Sequence, residues 1–194
     1  AEYEVLANVA ALTTELGGDP ERCWSASEAA ERKRLLAFRH ALPETVNDRI
    51  ARIQRQHPDI TKLGTDMAVP DDSLRTILAL YRNLLDEHEL AYVIFGHIGD
   101  NHLHVNILPR TPEEYNLGKR LYMEFAREVI RMNGSIAAEH GIGKLKIDFL
   151  RLLLGDEGLR QMADVKQTLD PDWRLGPGTL FGDATLAADT EQSN

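Results

Sequence analysis

The stretch FGHIGDNHLHVNIL, residues 95–108, constrains the fold of this chain more than any other. From His102 onward polar and apolar side chains alternate, with His102, His104 and Asn106 interleaved with Leu103, Val105 and Ile107. A period of two marks a strand with one face in a core and one polar face. The run AYVIF just upstream also has strand composition, and Gly99-Asp100 separates the two, so together they predict an antiparallel hairpin. With Gly99-Asp100 as a two-residue loop, Ile98 faces Asn101 and His97 faces His102. His104 then lies diagonal to His97 on the same face.

A hairpin gives these histidines a shared chemistry that a helix would deny them. On a helix His97 and His104 would stand about 10 Å apart along the axis, too far to share one ion through bonds of ~2.1 Å. Diagonal strand neighbours lie ~7–8 Å apart at the backbone, within reach of two imidazoles converging on one metal. A second dense stretch, AAEHGIG, offers Glu139 as an oxygen ligand and His140 as a third histidine ligand or a base beside the ion. Two histidines and one glutamate with an open position suit catalysis, because closed structural zinc sites generally use four protein ligands. The plainer reading is a set of hydrogen-bonded surface histidines and ordinary turn chemistry at Glu139-His140. Each stretch alone sustains that reading, and the occurrence of both weighs against it. His40, His57 and His88 lie in helical or loop contexts and read as solvated surface residues.

The remaining sequence alternates helices with strands. AEYEVLANVAALTTEL reads as a helix ended by Gly17-Gly18. Ser25 to about Gln56 reads as helix interrupted at Pro43, since an interior proline removes a backbone donor. DITKLGTDMAVP is a strand candidate, and Pro70-Asp71-Asp72 opens the amphipathic helix SLRTILALYRNLLDEH. Thr111, Pro112 and Glu114 form a helix start, and that helix is predicted to run to Asn133-Gly134. Two helical stretches follow to about Asp170. The order predicts an α+β fold: an antiparallel sheet with helices packed on one face, a ferredoxin-like split βαβ arrangement, plus a small helical C-terminal part. One domain is expected over residues 1–181, followed by a polar tail, 182–194.

Composition excludes other classes. The chain has 194 residues, 43% hydrophobic and 27% charged, enough for one sizeable core. A net charge of −9 argues against a phosphate-tracking surface, so no nucleic-acid partner is expected. The single cysteine, Cys23, rules out an internal disulfide framework and fits a reducing compartment. No apolar run approaches the ~20 residues of a membrane span, and the first twelve residues lack a signal peptide's pattern. A cytoplasmic location is expected, with peripheral attachment to the inner membrane left open.

FGHIGDNHLHVNILP together with GSIAAEHGIGKLK resembles the C-terminal substrate domain of FAD-linked D-2-hydroxyacid dehydrogenases and oxidases, a group that includes D-lactate dehydrogenases, D-2-hydroxyglutarate dehydrogenase and the glycolate oxidase flavin subunit. TDMAVP and DPDWRLGPGTLF are similar to two further motifs of that domain. The resemblance implies a part of an FAD-dependent enzyme that oxidises a D-2-hydroxy acid such as D-lactate or glycolate to the 2-oxo acid. It implies metal binding by His97, His104 and Glu139, with zinc the expected divalent ion, and a base at His140. It further places Asn106 near substrate or metal and matches Arg39 to an arginine that grips the substrate carboxylate. The flavin domain would lie N-terminal to this region, so the chain reads as an excised part of a longer enzyme, inactive alone, whose partners are the 2-hydroxy acid, its own FAD domain and an electron acceptor. A homodimer is a further option.

Two departures stand out. Where the family commonly has Gly-Asn after the Asp, this chain has Asn101-His102, which lets His102 join or compete with the expected ligands. Where the family usually ends in Asn-Pro-Gly-Lys, this chain has GPGT. Lys144 and Lys146 read as solvated helix-surface residues. Two other functions fit the same residues: a metal-dependent hydrolase with His140 as base, and a metal-stabilised docking module without catalysis.

Overall fold

A computed structural model describes residues 2–181 of the chain. Contacts divide the chain into two compact units, Ala1–Asn47 and Asp48–Asn194. The polar tail expected at 182–194 lies outside the described residues.

In the first unit α1 spans Glu2–Glu15. It ends as its glycines require: Gly17 takes φ 78°, its N–H donates to Thr14 O at 3.0 Å, and Gly18 N–H donates to Thr13 O at 2.8 Å. These bonds satisfy carbonyls that the end of a helix would otherwise leave unpaired. α2 spans Ala29–Gln54, past the end of that unit at Asn47, and continues through Pro43, so the expected interruption is absent. Proline removes only the bond to the Arg39 carbonyl. The neighbouring turn holds, with the Thr45 hydroxyl donating to Ala41 O at 2.8 Å.

The second unit is built on β4, His102–Ile107, the central strand of an antiparallel sheet. On one side lies β3, Tyr92–His97, paired in the expected register with His97 opposite His102 and Phe95 opposite His104. The loop differs from the two-residue turn read from sequence. Ile98–Asp100 form one 3-10 turn and Asn101 closes it in the left-handed region at φ 49°, a conformation asparagine tolerates better than most residues.

On the other side of β4 run β1, Leu63–Gly64, and β2, Met67–Ala68. Both keep one register, Leu63 opposite Ile107 and Ala68 opposite His102, so they are a single strand broken at Thr65-Asp66. The break has a specific cause. Thr65 N donates to Val105 O at 3.0 Å, but the return bond from Val105 N goes to the Thr65 hydroxyl at 2.9 Å, and that hydroxyl in turn donates to Leu103 O at 3.0 Å. The hydroxyl has replaced the backbone carbonyl in the ladder, which frees the carbonyl for another partner.

Ser135 pairs with Ala68 as an antiparallel bridge through bonds of 3.0 and 2.8 Å. With that bridge as the outer position, the chain order is strand, α3 (Leu74–Glu87), β3, β4, α4 (Pro112–Arg131), bridge. This is the split βαβ arrangement. Val105, Ile107, Leu63 and Met67 enter one core with Ile77, Tyr81 and Leu85 of α3 and Leu121, Phe125 and Val129 of α4. Tyr81 and Phe125 meet edge to face at 4.6 Å. Thr111 caps α4, accepting from Glu114 N at 3.3 Å.

After α4 the chain crosses β2 at Gly134, where an added Cβ would sit 2.4 Å from Ala68 O. Only glycine allows that approach, and the approach sets where residues 135–143 begin. α5, Ile147–Leu169, breaks at Gly155 (φ 67°, ψ 178°), giving the two helical stretches expected. The C-terminal segment returns to this loop, with Leu180 N donating to Gly143 O at 2.9 Å. Gly134→Ala is expected to cost about 1–3 kcal/mol in urea denaturation, the usual penalty for forcing atoms into filled space. An unchanged midpoint would contradict the close approach.

Candidate metal centre

The polar face of β4 is where four side chains gather. His97 ends β3, His102 and His104 lie on β4, and Glu139 reaches in from the loop between α4 and α5. One ligand atom from each lies within 4.8 Å of all the others. Glu139 Oε1 stands 3.3 Å from His97 Nε2 and 3.6 Å from His102 Nδ1, while Oε2 stands 3.8 Å from His104 Nε2. An N–H···O bond would be about 2.9 Å. A tetrahedron with ligand bonds of ~2.1 Å has edges of about 3.4 Å. The spacing therefore matches ligands around a common cation better than it matches hydrogen bonds.

Proton placement points the same way for His104. Its Nδ1 lies 2.8 Å from the Thr65 carbonyl released from the sheet ladder. A carbonyl can only accept, so Nδ1 carries the hydrogen and Nε2 presents a lone pair. That lone pair looks toward a carboxylate oxygen, which is also an acceptor, and two acceptors repel unless a cation lies between them. Burial, the largest influence, and the nearby His102 lower the His104 pKa, while Thr65 O, Asp66 and Glu139 pull upward. The net shift is downward, so near neutral pH the ring is the neutral form that metal binding needs. Fixing a ligating histidine by a bond to its second nitrogen is the usual outer-shell arrangement of metal sites.

The residue that assembles the site is Asp66, 2% exposed at the break between β1 and β2. Its Oδ1 accepts from Glu139 N at 3.1 Å, and its Oδ2 accepts from His140 N at 3.0 Å and Lys146 Nζ at 2.6 Å. One carboxylate thus holds the backbone of both residues of the Glu139-His140 pair. Burial acts to raise the Asp66 pKa, but the Lys146 bond, the two N–H groups and the Lys146 charge outweigh it and hold it below the ordinary carboxylate range. The reading of Lys146 as a solvated surface residue is corrected here. Its side chain is only 12% exposed and forms the counter-charge to Asp66.

Of the residues singled out in the sequence, His97, His104 and Glu139 come together, and His102 joins them. His140 stands beside the cluster with its side chain 68% exposed, its Nε2 4.0 Å from Glu139 Oε2 and its ring 5.8 Å from that of His104. Asn106 is buried, its amide donating to His104 O at 3.3 Å. Arg39 is exposed on α2 in the first unit. Exposure rises from His102 through His104 to His97, Glu139 and His140. Sequence reading placed Thr65 and Asp66 in the family-like stretch TDMAVP but gave neither a role. Their signal was two polar residues between Leu63 and Met67 in a strand segment, a pattern that a short interrupted strand also produces without any site.

Because the Asp66 pKa is depressed, its contribution to stability is present above the unfolded-state pKa and lost as pH falls through the lower folded-state value. Asp66→Asn is expected to lose about 3 kcal/mol near neutral pH, the scale for breaking a buried ion pair. The gap to wild type in urea denaturation should close as pH falls from the unfolded-state aspartate pKa to below the depressed folded-state value. A gap that stays constant with pH would show that Asp66 is not held ionised.

Relatives carry the same region. Glycolate oxidase subunit GlcD of Bacillus subtilis is 27% identical over 143 residues, 73% of this chain and 30% of its own length. The mitochondrial D-lactate dehydrogenase (cytochrome) of Arabidopsis thaliana is 32% identical over 119 residues, 60% of this chain and 21% of its own. D-2-hydroxyglutarate dehydrogenase of Xanthomonas citri pv. viticola is 34% identical over 127 residues, 62% of this chain and 27% of its own. The chain thus spans less than a third of the length of each. The family model for the C-terminal domain of FAD linked oxidases matches residues 2–180, nearly the whole chain, and the chain belongs to that family.

Proposed function

We propose that this chain is the substrate- and metal-binding part of an FAD-dependent oxidoreductase that converts a D-2-hydroxy acid to its 2-oxo acid. The observation that supports this most is the convergence of His97, His104 and Glu139 with His140 held beside them by Asp66. The family membership and the names of the relatives supply the redox class. In this reading His97, His104 and Glu139 hold a divalent ion, zinc by the nitrogen-rich donor set. When bound, the ion would supply Lewis acidity and the flavin would supply the hydride acceptor.

The chain's own residues have separate tasks. His140 accepts the hydroxyl proton, because its ring is open to solvent beside the cluster while its backbone is fixed by Asp66. Glu139 balances the charge of the ion. Asn106, buried against the His104 carbonyl, stiffens the strand that carries the ligands. Arg39 binds the substrate carboxylate through its guanidinium. The flavin would be held mainly by an N-terminal domain of the longer protein, with a separate electron acceptor as a further partner.

Glu139 and His140 adjoin in sequence and are expected to fail differently in the flavin-loaded protein containing this chain. Glu139→Gln removes a ligand charge, so bound metal and activity fall together. His140→Asn keeps the metal and loses about 10²–10⁴ in kcat, the usual worth of a positioned proton acceptor. Metal analysis beside steady-state kinetics with D-lactate and glycolate decides between them. Loss of metal in His140→Asn equal to that in Glu139→Gln would make His140 a ligand and remove it as the base. Full ester or amide hydrolysis after the flavin is stripped would favour the metal-dependent hydrolase instead.

A further inference from the structure

We infer that His102 is a further protein ligand of the ion held by His97, His104 and Glu139, bound through Nδ1 and oriented by Asp66. The inference rests on the metal site of the preceding proposal and adds a ligand to it.

His102 is the most enclosed member of the cluster, its side chain 3% exposed. A buried imidazole normally satisfies both nitrogens, since an unpaired buried polar group costs about 1–3 kcal/mol. Here Nε2 lies 3.0 Å from Asp66 Oδ1, yet the two are poorly aligned and Nε2 makes no hydrogen bond. Nδ1 lies 3.6 Å from Glu139 Oε1, beyond hydrogen-bond reach. The ring therefore sits between two carboxylates without a bond to either.

Proton placement resolves this. Asp66 is fixed as an ionised acceptor by Lys146 and two backbone N–H groups, so the nitrogen facing it, Nε2, carries the hydrogen. In the neutral ring that metal binding requires, Nδ1 is then the lone-pair nitrogen, and it faces a Glu139 oxygen that is itself an acceptor. His104 repeats the arrangement with its nitrogens exchanged: Nδ1–H toward Thr65 O, Nε2 lone pair toward Glu139 Oε2. Two histidines present lone pairs to the two oxygens of one carboxylate, and a cation between them turns both repulsions into bonds. A ligating histidine backed by a carboxylate on its other nitrogen is a recurrent arrangement in metal sites.

The consequence is a set of four protein ligands, three imidazoles and one carboxylate, in place of the two-histidine, one-glutamate set with an open position. Four protein ligands are the count of sites that hold zinc tightly. Two ligands on β4 and one on β3 are fixed by the sheet, so only Glu139, on the exposed loop, has freedom to yield when a substrate oxygen approaches.

The test uses zinc and cobalt with the 194-residue chain. X-ray absorption at the zinc edge counts imidazoles around the ion without any substitution. Three are expected, and two would overturn the inference while leaving the metal site standing. Zinc competition titration of His102→Asn gives a second readout, with affinity expected to fall about 10–100-fold at one ion per chain. The cobalt spectrum should lose its tetrahedral intensity. His104→Ala, which removes a ligand of the underlying site, should weaken binding at least as much. Unchanged affinity and spectrum in His102→Asn would also overturn the inference. If the wild-type chain binds no zinc at this cluster, the preceding proposal falls first and this one with it.

Discussion

The carboxylate of Asp66 ties the sheet to the loop that completes the site. It is buried at a break in a strand, neutralised by Lys146, and accepts from the backbone N–H groups of Glu139 and His140. Those two residues are separated from it by more than seventy positions in sequence. Without that anchor, a loop carrying Gly141 and Gly143 at positive φ would have few reasons to bring its glutamate to the histidines. An ionised group this enclosed is costly on its own, and the geometry around it shows how the cost is offset: one full counter-charge and two aligned donors.

The break in the strand is as consequential as the carboxylate. An unbroken ladder would commit the Thr65 carbonyl to Val105 N. Because the Thr65 hydroxyl takes that bond, the carbonyl is free to fix the His104 tautomer, and Asp66 emerges beside it. A local fault in the sheet thus sets the protonation of one ring and positions the anchor of the opposite loop. Strand irregularities near functional sites commonly serve to re-aim side chains in this way.

Much of this was legible in the sequence, for a physical reason: the period-two alternation from His102 to Ile107 can satisfy a core only as a strand, and the preceding run can pair with it only as a hairpin. The pairing of His97 with His102 followed from that alone, even though the turn between them closes through a left-handed Asn101 instead of two loop residues. The segment 135–143 was recognisable from its glycines and its Glu-His pair. Pro43 misled, because losing one hydrogen bond does not end a long helix whose flanking turns are intact. Asp66 and Lys146 were invisible as a pair because nothing in the local pattern of either marks an ion pair formed across the fold.

The account depends on one ion lying between the histidines of the hairpin and Glu139. Anomalous scattering at the zinc edge from crystals of the chain grown with zinc measures this directly. A single strong peak is expected within about 2.1 Å of His104 Nε2 and in contact with His97 and a Glu139 oxygen. No peak at that position, or density only at His40, His57 or His88, would contradict the account.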